Sequence, residues 1–181
     1  MMPSPGPTRL TTLDDAATFA DLMVRNREFL APWEPARPDT YFTEQGQRAV
    51  VEAVLEQHAQ GTCMPLTILD GAGEVVGRIT LSGIVRGAFQ SCSVGYWVSA
   101  HANGHGLATA AVGDAVRVAF DVLGLHRVQG ETLLHNAASQ RVLQRNGFVR
   151  IGTAPDYLQI AGRWQDHAIY QVVRPAASAT H

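Results

Sequence analysis

Little in this chain points to a secreted, membrane-bound or nucleic-acid-binding protein. Only two cysteines, Cys63 and Cys92, occur in 181 residues, and their separation suits no metal-ligand set. Such sparse use fits a reducing compartment better than a disulfide-held domain. No apolar run is long enough to span a bilayer. Met1 to Pro7 lacks a charged segment followed by an apolar one, so no signal peptide is expected. Charged residues are 17% of the chain and the formal net charge is -2, without the basic excess that a phosphate backbone selects. The expectation is a cytoplasmic protein with no membrane partner and no direct nucleic-acid partner.

The chain does have material for one core: 46% of its residues are hydrophobic, and its length suits one domain. A single domain over 8–174 is expected, with flexible tails at 1–7 and 175–181. Thr8 to Thr12 reads as a strand, with Thr12 placed to cap a helix from Leu13 to Leu30. Pro32, Pro35 and Pro38 exclude helix around Trp33. A helix over Thr43 to Gln60 stops at Gly61. The apolar period then becomes two, predicting strands at Met64–Leu69, Glu74–Ser82 and Ser91–Val98. Val75, Ile79 and Leu81 are expected on one face of the middle strand. A helix from Gly106 to Leu123 should bury Ala108, Ala111, Val112, Ala115, Ala119 and Val122. Strand Arg127–Leu134, helix Asn136–Asn146, and strands Phe148–Thr153 and Asp166–Val173 complete the order. The class is α/β, with antiparallel strands before the long helix. That order alone fits many folds.

Chemistry concentrates after the strand ending at Val98. Ser99-Ala100-His101-Ala102-Asn103-Gly104-His105-Gly106-Leu107-Ala108-Thr109 leads straight into the long helix. Glycines at a helix mouth let several N–H groups converge on one point, where the helix dipole adds positive potential. The guest that suits this is a phosphate or pyrophosphate. No P-loop lysine follows and the third glycine of a dinucleotide fingerprint is missing. Taken alone, a glycine-rich connector chosen for tight packing explains the loop equally well.

The loop and its surroundings resemble the GNAT acetyltransferase family, whose signature at this junction is R/Q-x-x-G-x-G/A. The pattern falls on Asn103-Gly104-His105-Gly106-Leu107-Ala108: Gly106 and Ala108 match, while Asn103 replaces the usual Arg or Gln. A second stretch, Asn136-Ala137-Ala138-Ser139-Gln140-Arg141-Val142-Leu143-Gln144-Arg145-Asn146-Gly147-Phe148, is similar to the branch that acetylates protein N-termini. On structural grounds alone Asn136 and Asn146-Gly147 are good helix caps. Asn26 to Pro35, Val85 to Phe89 and Asp156 to His167 resemble the ribosomal-protein alanine N-acetyltransferases of the RimJ/RimL type. Altogether the resemblance covers Thr8 to Val173.

The resemblance implies a GNAT fold, a mixed and mostly antiparallel sheet of about seven strands flanked by about four helices. It implies acetyl-CoA as co-substrate without a metal. The acceptor would be a peptide or protein N-terminus, such as that of a ribosomal protein, and the assembly a monomer or homodimer. Backbone amides from Asn103 to Thr109, including Gly104, His105 and Leu107, would hold the pyrophosphate. Splayed strands near Val98 and Leu133 would receive the pantetheine arm beside Asn136. Ser139 would lie near the thioester sulfur, ready to help protonate the leaving thiolate.

Family members often carry a glutamate on the strand before the pyrophosphate loop, but Ser91 to Tyr96 has no carboxylate. The remaining candidates for a base are Glu34, Asp156 and, through water, Tyr157. Each has a plain alternative: solvated loop charge, turn residue and half-buried packing respectively. Asp166 and His167 are read as fixing the last strand. Trp33 and Trp164 are read as groove walls or as core. His101, His105, His126 and His135 lack zinc spacing. A peptide α-amine has a pKa of about 7.7–8.0 against about 10.4 for lysine, a gap of roughly 3.5 kcal/mol in supplying neutral nucleophile. A site with no evident base therefore favours an α-amine. The rivals are a small-molecule amine acetyltransferase and a non-catalytic acyl-CoA-binding module.

Overall fold

The computed structural model describes residues 6–175. The tails expected at 1–7 and 175–181 lie outside the described residues, apart from Gly6, Pro7 and Pro175. The chain forms β1 (Thr8–Leu10), α1 (Asp15–Arg25), α2 (Arg27–Leu30), α3 (Glu44–Ala59), β2 (Cys63–Leu69), β3 (Val75–Val85) and β4 (Ser91–Val98). It continues with α4 (Leu107–Arg117), β5 (Arg127–Leu133), α5 (Ala137–Arg145), β6 (Val149–Ile160) and β7 (Arg163–Val173). The sheet has seven strands in the order β1-β2-β3-β4-β5-β7-β6. All neighbours are antiparallel except β4 and β5. This is the mixed, mostly antiparallel α/β sheet anticipated above.

Each sheet face carries its own core. On one, Ile79, Leu81, Cys92, Val94 and Val128 pack against Ala111, Val112 and Ala115 of α4, Ala119 just beyond it and Leu143 of α5. On the other, Trp97 packs with Phe19, Leu22 and Met23 of α1 and Val51 of α3.

Five local features depart from expectation, each for a physical reason. The helix expected over Leu13–Leu30 is two helices broken at Asn26. The buried Asn26 side chain donates to Leu22 O at 2.8 Å and to Ser99 Oγ at 2.8 Å, and accepts from Ala100 N–H at 2.8 Å. That triple engagement requires a non-helical backbone at the junction. Thr12 does not cap the first helix; its own N–H donates to Asp15 Oδ2 at 2.9 Å. Thr43, by contrast, caps α3 through Gly46 N–H.

In β3 the pairing shifts between Ile68–Gly77 and Leu69–Val75, a bulge that inserts Val76. Val76 thereby joins Ile79 and Leu81, and Val75 turns to the opposite core. The long helix ends in a π turn over Val118–Val122. The extra residue rotates the last turn, so that Phe120 is buried and Val122 faces solvent. Finally, β6 and β7 run further than Thr153 and back from Asp166, meeting at a turn where Ala161 (φ 50) and Gly162 (φ 79) both have positive φ. Two successive left-handed residues make a tight hairpin whose twist matches its strands.

Candidate active site

The site begins where the sheet comes apart. β4 and β5 pair in parallel only from Ser91–Arg127 to Val94–Gly130. Beyond that point Gly95 to Val98 and Glu131 to Leu133 diverge, leaving backbone groups directed into a gap. A cleft of about 540 Å³ occupies it, lined among others by Val98, Leu133, Asn136, Ser139, Glu34 and His167.

At the outer end is the loop before α4. Gly104 (φ 82) and Gly106 (φ 77) are left-handed, a conformation glycine adopts without penalty. A side chain added at either glycine would meet open space, so the loop presents bare backbone. The first intramolecular bond here runs from Ala110 N–H to Gly106 O at 2.9 Å. The N–H groups of Gly104, His105, Gly106, Leu107, Ala108 and Thr109 have no protein acceptor among the described residues. Asn103, the departure from the family signature, turns inward. Its Nδ2 donates to Val98 O at 3.1 Å and Ser99 O at 3.0 Å, tying the loop to the end of β4. His105 is exposed, and His101 Nδ1 lies 2.8 Å from Ser99 Oγ.

The inner wall comes from α5. Asn136 caps this helix through Ser139 N–H at 3.0 Å. At the helix end, Asn146 Nδ2 donates to Thr109 O at 3.0 Å, which fastens α5 to the first turn of α4. Ser139 Oγ lies 2.9 Å from Tyr96 Oη. Burial pushes the Tyr96 phenol up to about 12, against the lowering effect of its bond to Ser139. Ser139 and Tyr96 together thus form a protonated hydroxyl pair beside the gap.

The opposite side carries charge. Glu34 lines the cleft, and burial raises its carboxyl although Arg78 and Arg37 oppose the shift. Trp33 also lines it and stacks with His135 at 5.5 Å. Asp156 (φ 46) is exposed at a bulge in β6, where its N–H donates to Asp166 Oδ1 at 3.0 Å. Tyr157 packs over His167 at 5.6 Å. Neither Asp156 nor Tyr157 is among the residues lining the cleft.

Sequence reasoning missed Tyr96, Arg78, Glu131 and the cleft position of His167. His167 is buried, with Nδ1 2.8 Å from Gln165 O, so Nδ1 carries a proton and donates to that carbonyl. Arg78 Nη1, Trp97 Nε1 and Thr132 Oγ1 are buried without a partner among the described residues, and all three residues line the cleft. Burial pushes the Cys92 thiol up to about 12, with Arg86 opposing and Glu131 adding, which leaves it a poor nucleophile.

A parallel pair opening within an otherwise antiparallel sheet, with a bare-amide loop at its mouth, defines an acyl-CoA-dependent transferase of the GNAT fold. A profile of the acetyltransferase (GNAT) domain matches residues 8–149. The chain is 34% identical over 168 residues to the [ribosomal protein uS5]-alanine N-acetyltransferase of Escherichia coli, covering 92% of this chain and 87% of the relative. Its structure matches that of the ribosomal-protein-S5-alanine acetyltransferase of Vibrio fischeri with a TM-score of 0.87, at 32% identity and 93% coverage of both chains. RimJ of Mycobacterium smegmatis, solved in complex with CoA-disulfide, matches with a TM-score of 0.88 at 27% identity, over 96% of this chain and 83% of that one. The chain belongs to the GNAT acetyltransferase family and is an acetyl-CoA-dependent N-acetyltransferase.

Proposed function

We propose that the acceptor is the N-terminal α-amine of a protein, a ribosomal protein being the class its relatives modify. Acetyl-CoA would lie in the cleft between β4 and β5. The observation that carries the cofactor position is the row of unpartnered amides from Gly104 to Thr109 at the mouth of the splayed strands. Backbone N–H groups and the start of α4 suit a pyrophosphate, and Asn103 stiffens the loop from behind in place of a side-chain contact. Leu133, Val98 and Asn136 line the continuation of the cleft, where an extended pantetheine arm would fit.

Bound there, acetyl-CoA supplies an acetyl thioester. The unpaired backbone of β4 offers N–H groups toward a developing oxyanion. The Ser139–Tyr96 pair holds the proton needed at the leaving sulfur. Glu34, next to Trp33 in the cleft lining, is assigned to the acceptor entrance, while Asp156 and Tyr157, outside that lining, are assigned no step. An α-amine suits this equipment because about a tenth of it is already neutral at pH 7.

The test is thiol release from acetyl-CoA across peptides beginning with Ala or Ser and across free amines, with acetylated products identified by mass. Peptides gaining one acetyl group at the α-amine is the expected outcome. Turnover of free polyamines or amino sugars with the peptides untouched would replace this reading by a small-molecule acetyltransferase.

A further inference from the structure

Glu131 stands where the two strands part. Val94–Gly130 is the last parallel pair, so Glu131 and Gly95 are the first residues on either side of the gap. The carboxylate lies on the face away from α4. Its Oε1 accepts from Ser93 Oγ at 3.0 Å on β4 and from Gln129 Nε2 at 2.6 Å on its own strand. Gln129 is itself held by Arg127. Oε2 has no protein partner among the described residues. Gly95 has no side chain, and one added there would meet nothing within 4 Å, so the space beside the carboxylate is open. Glu131, Gly95 and Thr80 all line the cleft.

Ser139 and Tyr96 approach the same gap from the α4–α5 side. The gap therefore has proton-bearing hydroxyls on one face of the sheet and an anchored carboxylate on the other. The strand before the pyrophosphate loop has no carboxylate of its own. Ser93, on that strand, instead holds one that reaches across from β5.

We propose that Glu131 is the residue that receives the acceptor amine, entering from the sheet face opposite α4 and α5, where the space beside Gly95 is open. Oε2 accepts a hydrogen bond from the amine and takes the proton that its nitrogen gives up on acylation. The N–H bond breaks with its electron pair kept by nitrogen, an O–H bond forms on Glu131, and that proton later passes to water. The sulfur's proton comes separately from the Ser139–Tyr96 side. Ser93 and Gln129 are positioning residues that leave Oε2 as the reactive oxygen. The charge of the carboxylate is felt by Tyr157 on β6 and, through the sheet, by Cys92 on the α4 face; Arg127 approaches it through Gln129, and Arg78 from β3, Glu34 and His167 from β7 line the same cleft. This proposal rests on the α-amine reading above.

Glu131→Gln keeps the size of the side chain and an oxygen for Ser93. With an Ala-initiated acceptor peptide it should lower kcat/KM by about 100-fold while CoA affinity stays unchanged. In calorimetry on the non-reacting complex with CoA, it should weaken that peptide about 10-fold and leave the des-amino peptide unaffected. Ser93→Ala retains the charge and should lower kcat by several-fold with CoA affinity intact. Wild-type kcat/KM and peptide affinity in Glu131→Gln would overturn the proposal, as would an equal loss for the des-amino peptide. If Glu131→Gln does not fold, unchanged kcat in Ser93→Ala overturns it instead. Failure of the wild-type enzyme to acetylate any peptide would remove the α-amine reading first, and the same variants would then be read with the free amine that is turned over.

Discussion

At the scale of single residues, protons are held where they are needed. Tyr96 Oη and Ser139 Oγ are 2.9 Å apart, and burial pushes the phenol up to about 12. Tyr96 therefore keeps its proton well past neutrality, and raising the pH from about 7 to about 10 should cause no loss of turnover through its ionisation. Ser139→Ala and Tyr96→Phe should each lower kcat by about 10- to 100-fold and leave CoA affinity nearly intact. Pre-steady-state thiol release alongside calorimetry separates the two effects. Asp15 shows the converse case. Burial alone would raise its carboxyl, but Arg9, Thr12 N–H and the Thr67 hydroxyl together hold it below its ordinary value. A depressed carboxyl stabilises the fold above its unfolded pKa of about 3.9, and that contribution disappears as pH falls through the folded value. Thermal melts of Asp15→Asn should accordingly show a large loss near neutrality that shrinks toward about pH 2.

Residues within one segment were the most legible from sequence. Capping chemistry alone made Asn136 a helix cap, while the site roles of Asn136 and Ser139, one helical turn apart, came from the family resemblance of their segment. Glu131 was not legible as a site residue, because its partner Ser93 is distant in sequence and on a strand whose register no local pattern specifies. Tyr96 and Arg78 were hidden for the same reason: alternation along a strand says which side a residue faces but not what stands across from it.

Among the elements, the decisive one is the loop that enters α4. Gly106→Glu places a carboxylate at a left-handed position (φ 77) directly before the free amides. Loss of measurable CoA binding is expected, with only about 1–2 kcal/mol lost from the fold. Asn26 supports that loop from α1, through Ser99 Oγ and Ala100 N–H. Asn26→Ala would strand buried donors and acceptors, costing about 2–4 kcal/mol and weakening CoA binding with it. A variant that melts lower yet binds CoA normally would show that the loop holds its shape without this support. The break that Asn26 makes was invisible beforehand, since α1 and α2 share one helical pattern and only the tertiary partner Ser99 interrupts it. The bulge at Val76 and the π turn after Arg117 escaped notice similarly, because each is a one-residue insertion that repacking rather than local preference stabilises.

For the whole molecule, element order and apolar period were enough for a mixed sheet with helices packed on it, not for how the helices divide between its faces. They did not distinguish that sheet from others with the same order. What distinguishes it is the parallel pairing of β4 with β5 and its early end at Val94–Gly130. From that one departure follow the cleft and the meeting of two faces at one gap, with the Ser139–Tyr96 hydroxyls on one side and Glu131 on the other. Helices α4 and α5 on one side carry the glycine loop and Ser139, while the other face is covered by α1 and α3 around Trp97 and left open beside Gly95.

The central claim is that this cleft moves an acetyl group from acetyl-CoA to a peptide α-amine. Thiol release with an Ala-initiated peptide, followed by mass analysis of both peptide and enzyme, tests it most directly. The chain contains no lysine, so acetyl groups cannot be diverted to lysine side chains of the enzyme itself. Stoichiometric release of thiol with one acetyl group on the peptide α-amine is the result the structure predicts. CoA bound at millimolar concentration with the peptide unmodified, or no CoA bound at all, would contradict it.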